Sequence, residues 1–399
     1  MRILVVTPTF LPVMGGAEMV LFEVYRRLAV RHEVRLLAAA PAPGLLREHA
    51  AADAPDVPFP VAHYRDRVSL MRVRGHRWTA GAVPPFSLSA VTAVRRHARA
   101  FRPDVVNVHY AMPTGLAAVV ADRGLGIPTV LTMNGRDVPG PGVPPLWRRW
   151  QRALLARVTD ATYVSGYCRD AIYGDRPARG RVVYNGVELP APPGDGVALR
   201  RAHGLAADAP LIFALQRLAP EKRVDVLLGA LRRCRDVSGA GTLLIGGQGP
   251  EGPALRRRAE ELGVAAHVRF AGYVPRAGVP AHFAACDVFA FHSTFETFGL
   301  VVAEAMSYGR PVVTVRNTAL PEIVGDAGVL VPTGDGRAFG DALAALVADR
   351  ERRVRLGEMG RARAAALFDW DDIARQYETV LARAAGARAR PAVVAEPRP

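Results

Sequence analysis

Short apolar runs bounded by Gly, Pro, Asn and Asp recur along the chain and alternate with longer amphipathic stretches. Runs of that kind predict strands buried on both faces, and the stretches between them predict the helices that cover a parallel sheet. In the first half the expected strands are residues 3–7, 34–38, 105–108, 129–132 and 163–165. The helices expected there are 17–28, 89–101 and 147–158, the last of them basic. A Pro- and Gly-rich break follows, with Pro190, Pro192, Pro193, Gly194 and Gly196. The pattern then restarts: strands at 211–215, 243–245, 288–291 and from 312, with helices at 224–234 and 298–307. Two α/β domains are the simplest reading of two such series.

Residues 287–315 form the most informative unit: strand, polar loop, helix, strand. The predicted helix start presents unpaired N–H groups and a partial positive charge, a setting suited to phosphate. Gly299 allows a ligand to approach the backbone there. Glu296 precedes the helix and Glu304 lies within it, roughly 7–9 Å farther along. Two carboxylates flanking a diphosphate can accept hydroxyls from a sugar on one side and a ribose on the other. By spacing alone, two solvated glutamates on an ordinary helix are the better explanation of the pattern.

Composition narrows the classes. With 399 residues, half of them hydrophobic and 22% charged, the chain is globular and long enough for two cores. No apolar run has the length of a membrane-spanning helix, and the N-terminus reads as a first strand of a cytoplasmic protein rather than a secretory signal. Cys168, Cys234 and Cys286 lack metal-ligand spacing and read as reduced thiols. The formal charge of +15 suits anionic ligands or an anionic membrane surface without choosing between them. Lys222 is the only lysine among 52 basic residues, which hints at a local requirement.

Several sequences then converge. Glu296-Thr-Phe-Gly-Leu-Val-Val-Ala-Glu304, followed by Gly309-Arg-Pro, resembles the E-x7-E signature of retaining GT-B glycosyltransferases, group 1 or family 4. Gly15-Gly16-Ala-Glu resembles that family's first glycine loop, and Arg217-Leu-Ala-Pro-Glu-Lys222 its R-L-x-P-E-K motif, with Arg223 in place of the usual glycine. Asp104 and His109 match a D-to-H pattern in which Asn107 replaces a first histidine. Asn134-Gly-Arg-Asp137 matches T-x-H-G-x-D with Asn134 in place of histidine. Leu320-Pro-Glu-Ile-Val matches P-E-x-V, with Thr318-Ala319 where two glycines are usual.

The resemblance implies an α/β GT-B fold of two Rossmann-like domains facing a central cleft, with a C-terminal helix crossing back to the first domain. The domains it implies are an acceptor-side domain at 1–189, a linker at 190–200, a nucleotide-sugar domain at 201–367, a crossing helix at 368–385 and a disordered tail at 386–399. It implies a retaining hexosyltransferase that moves a sugar from a nucleotide diphosphate sugar to an acceptor hydroxyl, on a lipid-linked glycan or a small molecule. His109, Glu296, Arg217 and Lys222 are the implied catalytic residues. Gly15, Gly16, Val274, Phe298, Gly299, Leu300 and Glu304 would bind the donor, and Asn134 and Asp137 would lie on the acceptor side. Neither cofactor nor metal is expected, and no nucleic acid.

Residues 41–85, rich in Pro, Ala and Arg, read as a variable surface insertion, or as a basic face for an acceptor or a bilayer. Segment 65–78 and the helix at 147–158 would place such an enzyme peripherally on the inner face of a membrane. Three other functions stay open: a phosphorylase of similar fold, a nucleotide-sugar 2-epimerase, and a non-catalytic basic binding module. The first would need a cofactor-bearing lysine in the C-terminal domain, whereas Lys222 falls in the diphosphate motif.

Overall fold

The computed structural model describes residues 1–13, 15–41, 55–65, 87–135, 137–138, 140, 145–189, 191 and 194–387. Residues 66–78 of the basic segment, Arg136 and the tail beyond 387 lie outside the described residues. The chain forms two compact units, Met1–Tyr184 joined by the C-terminal segment from Asp371, and Asn185–Trp370.

The first unit runs β1 (Arg2–Thr7), α1 (Gly16–Leu28), β2 (Glu33–Ala39), β3 (Val61–Tyr64), α2 (Leu88–Phe101), β4 (Val105–His109), α3 (Gly115–Val119), β5 (Thr129–Met133), α4 (Pro145–Leu155), β6 (Asp160–Tyr163), α5 (Gly166–Tyr173) and β7 (Arg181–Val182). Its seven strands are all parallel in the order 3-2-1-4-5-6-7. Ile3 sits between Val34 and Val105 in register, so β1 is central and buried on both faces.

The second unit runs α6 (Gly196–Ala202), β8 (Leu211–Leu215), α7 (Val224–Ser238), β9 (Thr242–Gly246), α8 (Gly252–Glu261), β10 (Val268–Gly272), α9 (Val279–Ala285), β11 (Val288–Phe291), α10 (Leu300–Ser307), β12 (Val312–Val315), α11 (Leu320–Val324), β13 (Gly328–Val331), α12 (Gly336–Ala348) and α13 (Arg350–Leu367). Its six parallel strands follow the order 10-9-8-11-12-13. Phe213 packs edge-on against Phe283 and Phe289 in its core, and those two are tilted on each other, with ring centroids 5.5–5.9 Å apart. A last helix, α14 (Trp370–Gly386), belongs to the first unit from Asp371 onward. There Arg27 pairs with Asp371 at 2.7 Å, and Arg31 and His32 pair with Glu378 at 2.6 and 2.7 Å.

Each sheet reverses its strand order once, between β1 and β4 and between β8 and β11. In open parallel sheets the crevice beyond the carboxyl ends at such a reversal is where ligands bind. The two carboxylates and the lone lysine follow the second reversal.

Local chemistry moved several expected boundaries. The strand expected at 163–165 ends at Tyr163, because Ser165 Oγ accepts the Cys168 amide at 3.2 Å and starts α5. The break after residue 190 carries α6, capped by Asp195 and packed so closely that a Cβ on Gly196 would lie 2.6 Å from Ala284–Ala285 backbone. Inside the expected insertion, the short Val61–Tyr64 run pairs with β2 as an edge strand. The helix expected from residue 298 starts at Leu300, since Gly299 takes a left-handed φ of 89°.

Candidate active site

The loop after β8 makes one 3-10 turn, Pro220–Lys222, and delivers two cations beyond the strand end. Lys222 Nζ pairs with Glu296 from the loop after β11, and lies over the Phe291 ring, 5.4 Å from its centroid. Arg217 Nη2 donates to Glu221 Oε1 at 2.5 Å. The two loops are also joined through backbone: the amide and hydroxyl of Thr294 both donate to Glu221 O, at 2.8 and 3.1 Å. Lys222 and Glu296 are thus held together by the adjacency of β8 and β11.

Both departures from the family's glycines keep a glycine-like backbone. Arg223 takes φ 45° and ψ 48°, and its guanidinium clasps Asp225 at 2.9 Å. Thr318 takes φ 44°, a strained value for a β-branched residue, and its Oγ1 accepts the Glu296 amide at 3.0 Å. These strained residues sit on either side of the Lys222–Glu296 pair.

Gly299 lets the chain turn into α10: a Cβ there would meet Leu320 at 2.9 Å in a left-handed backbone. Gly299 O accepts Val302 and Ala303 N–H, so the preceding amides at Leu300 and Val301 face the open helix end. Phe298, expected to offer its amide from within the helix, lies just before it, with its ring buried edge-on against Phe368. One turn along α10, Glu304 faces Arg276 with Oε1 3.6 Å from Nη1. Burial raises the Glu304 pKa, and Arg276 works against that rise. Val274 is buried and wedged where a Gly246 Cβ would stand, at 2.8 Å.

The first unit gathers a different set. His109 is the last residue of β4, not the first beyond it, and its ring is 1% exposed. The Tyr25 hydroxyl donates to Asn107 Oδ1 at 2.7 Å, because Asn107 Nδ2 is turned to Val130 O and Thr132 Oγ1. The Tyr25 oxygen then accepts from His109 Nε2 at 2.6 Å, and His109 Nδ1 accepts from Asn134 Nδ2 at 2.9 Å. Both ring nitrogens are engaged and burial lowers the pKa to about 4, so the ring is neutral at neutral pH. The expectation that His109 faces a reacting group meets an inward-facing ring instead. The next residue, Tyr110, carries a strained φ of 71°.

Asp137 is buried and accepts Ala111 N–H at 2.6 Å and Gly135 N–H at 3.0 Å, tying the loops after β4 and β5 together. Burial pushes its pKa up to about 6. At the glycine loop, Gly16 begins α1 and Gly15 precedes it in extended backbone. A Cβ on Gly15 would lie 2.6 Å from Glu18 Oε2, and Glu18 Oε1 accepts from Thr9 Oγ1 at 2.5 Å. The chain's own carboxylate therefore sits at this helix start, and a phosphate there would meet like charge.

Sequence reasoning missed Glu18, Tyr25, Glu221 and Arg276. Glu221 stood inside a recognised motif, whereas nothing in the sequence around Arg276 pointed to Glu304. Among the described residues no group of three or more His, Cys, Asp or Glu is placed to hold a metal, and no helix is long and apolar enough to cross a membrane.

Two Rossmann-like sheets, with Lys222, Arg217, Glu296 and Glu304 gathered beyond the switch point of the second, define an α/β class whose crevices at such points bind ligands. Residues 14–190 match the model of Glycosyltransferase Family 4, and residues 197–363 that of Glycosyl transferases group 1. The GDP-mannose-dependent alpha-(1-6)-phosphatidylinositol monomannoside mannosyltransferase of Mycobacterium tuberculosis (strain ATCC 25618 / H37Rv) is 30% identical over 404 residues, covering 95% of this chain and 98% of its own. N-acetyl-alpha-D-glucosaminyl L-malate synthase of Bacillus anthracis is 26% identical over 380 residues, covering 93% and 95%. The structure of Anabaena Alr3699/HepE in complex with UDP and glucose superposes with a TM-score of 0.75 at 23% identity, over 96% of this chain and 100% of that one. The chain belongs to the group 1, family 4 glycosyltransferases and has their GT-B fold, so its activity is sugar transfer from a nucleotide sugar.

Proposed function

We propose that the second unit holds the nucleotide diphosphate sugar beyond β8 and β11, and that the sugar passes to an acceptor hydroxyl with retention of anomeric configuration. The observation that carries this is the Lys222–Glu296 pair at the switch point. A diphosphate arriving there takes over the Lys222 ammonium as a point charge and the Arg217 guanidinium as a fork. Glu296, relieved of Lys222, turns its carboxylate to the sugar hydroxyls, and Glu304 accepts the ribose hydroxyls. Negative charge grows on the diphosphate as its bond to the anomeric carbon breaks, and Lys222, Arg217 and the amides at the start of α10 oppose it; the acceptor oxygen bonds to that carbon and its proton passes to the departing diphosphate. In this reading Gly299 and Leu300 supply backbone, and Val274 borders the base. Phe298 anchors the turn.

His109 contributes as the neutral anchor of the Tyr25, Asn107 and Asn134 cluster rather than as a proton carrier. Asn134 and Asp137 shape the acceptor side, Asp137 by holding the two loops. At the start of α1, Gly15 leaves room for the Glu18 carboxylate.

Of the two relatives, one is a phosphatidylinositol monomannoside mannosyltransferase, named for a lipid acceptor, and the other an L-malate synthase, named for a small molecule. A lipid-linked acceptor is favoured by α4, which exposes Leu146 and Trp150 beside Arg148 and Arg149 while burying Trp147 and Leu154. Each arginine near an anionic surface adds about 1 kcal/mol. Co-sedimentation with anionic but not neutral liposomes at low salt is expected. Protein left in the supernatant with both removes the membrane and leaves the small-molecule acceptor.

The donor is tested by melting shifts and slow hydrolysis with UDP-, GDP- and dTDP-sugars, followed by NMR of the product's anomeric carbon. One donor class should raise the melting temperature and be turned over with retention. An inverted product sinks the stereochemical assignment, and a 2-epimer formed without acceptor supports the epimerase instead.

A further inference from the structure

Glu304 is not left to meet a ribose alone. The turn after β10 is fixed by Val274 wedged against Gly246 and by the Gly278 amide donating to Pro275 O at 2.8 Å. That turn carries Arg276 at its first 3-10 position. The following helix, α9, is locked to the end of α10: Phe283 stacks on Tyr308 with centroids 4.9 Å apart. Arg310 adds hydrogen bonds to Cys286 O and Ala284 O at 3.0 and 3.3 Å. Two separate anchors therefore set the distance between the 276 turn and α10, and Arg276 Nη1 lies 3.6 Å from Glu304 Oε1. Glu304 is mostly covered, at 21% exposure, and Arg276 less so, at 39%, so the pair borders solvent on the arginine side.

We propose that Arg276 is a positioning residue for the nucleoside end of the donor, holding the Glu304 carboxylate in place and charged so that it can accept two hydroxyls. This rests on the reading above that Glu304 takes the ribose. Only an ionised carboxylate offers acceptors alone; the protonated acid turns one oxygen into a donor. Burial favours that acid, and the guanidinium opposes it. The other ionisable groups around Glu304 do not supply the missing positive charge. Tyr308, on the same helix, has its hydroxyl pushed up to about 12 by burial and then by Glu304, and Glu188 faces it with a second negative charge. Arg361 of α13 is turned to the Tyr308 carbonyl at 3.3 Å.

The experiment is a double-mutant cycle read by calorimetry, with UDP and GDP as probes and the tighter one carried forward, for wild type, R276Q, R276K, E304Q and R276Q/E304Q between pH 5 and 8. R276Q should weaken the diphosphate about tenfold at neutral pH, the size of one charge-assisted contact. It should also move the fall of affinity with acidification to higher pH. R276K should recover part of the loss. In the E304Q background R276Q should change almost nothing, because its effect passes through Glu304. An equal loss with and without Glu304, or a loss independent of pH, overturns the proposal. If E304Q alone binds the probe as tightly as wild type, the ribose reading itself is what fails.

Discussion

Replacing Lys222 by alanine should damage turnover much more than folding, and the structure sets both sizes. In the free protein the ammonium lies against Glu296, with side-chain exposures of 20% and 15%. Its loss leaves a mostly covered carboxylate without a cation. Charged hydrogen bonds contribute about 1.5–3 kcal/mol, and partial exposure puts this one near about 1–2 kcal/mol. For a unit of this size that is a fall of about 2–8 °C in Tm. The ammonium's part in transfer is larger, because charge on the departing diphosphate peaks in the transition state; removing one such donor lowers kcat by about 10²–10³. Steady-state transfer and melting on the same preparations separate the two. The double variant K222A/E296Q sharpens the test: it removes the stranded carboxylate, so Tm should return toward wild type while transfer stays slow. If K222A turns over within about threefold of wild type, Lys222 is a structural counter-ion and the assignment is refuted.

The two glutamates should part company. E304Q should weaken free nucleoside diphosphate about tenfold, whereas E296Q frees Lys222 and should leave that affinity unchanged or higher while transfer falls; equal losses in calorimetry contradict the division. Asp137, with a folded pKa near 6 against an ordinary value of 3.8, binds its proton more tightly when folded. Its protonated form therefore contributes stability that is complete below the unfolded value and is lost as pH rises through about 6. The destabilisation by D137N, about 1–3 kcal/mol from one of the two backbone amides losing its acceptor to an Nδ2 donor, should be larger at pH 5 than at pH 8 in chemical denaturation. A pH-independent difference would show that Asp137 is ionised in both states.

Local pattern was enough for the inner strands of both sheets and for five of the helices beside them, because a buried strand needs only a short apolar run and a helix only its period; the edge strands β3, β7, β10 and β13 carried no such signal. The same locality carried the Glu296 to Glu304 spacing and the Arg217 and Lys222 turn, each pair lying within eight residues along the chain, and a count over the whole chain carried the singularity of Lys222. Which group neutralises which was decided by tertiary structure. Lys222 and Glu296 are 74 positions apart and meet only because β8 and β11 are neighbours. Arg276 reaches Glu304 because the turn after β10 is wedged against Gly246 and Phe283 stacks on Tyr308. His109 carries the same residue letter whether it faces a substrate or turns inward to Tyr25 and Asn134, and the packing of α1 against β4 made that choice. Charge, burial and hydrogen-bond partners are properties of loops brought side by side, and a linear pattern holds the loops without their neighbours.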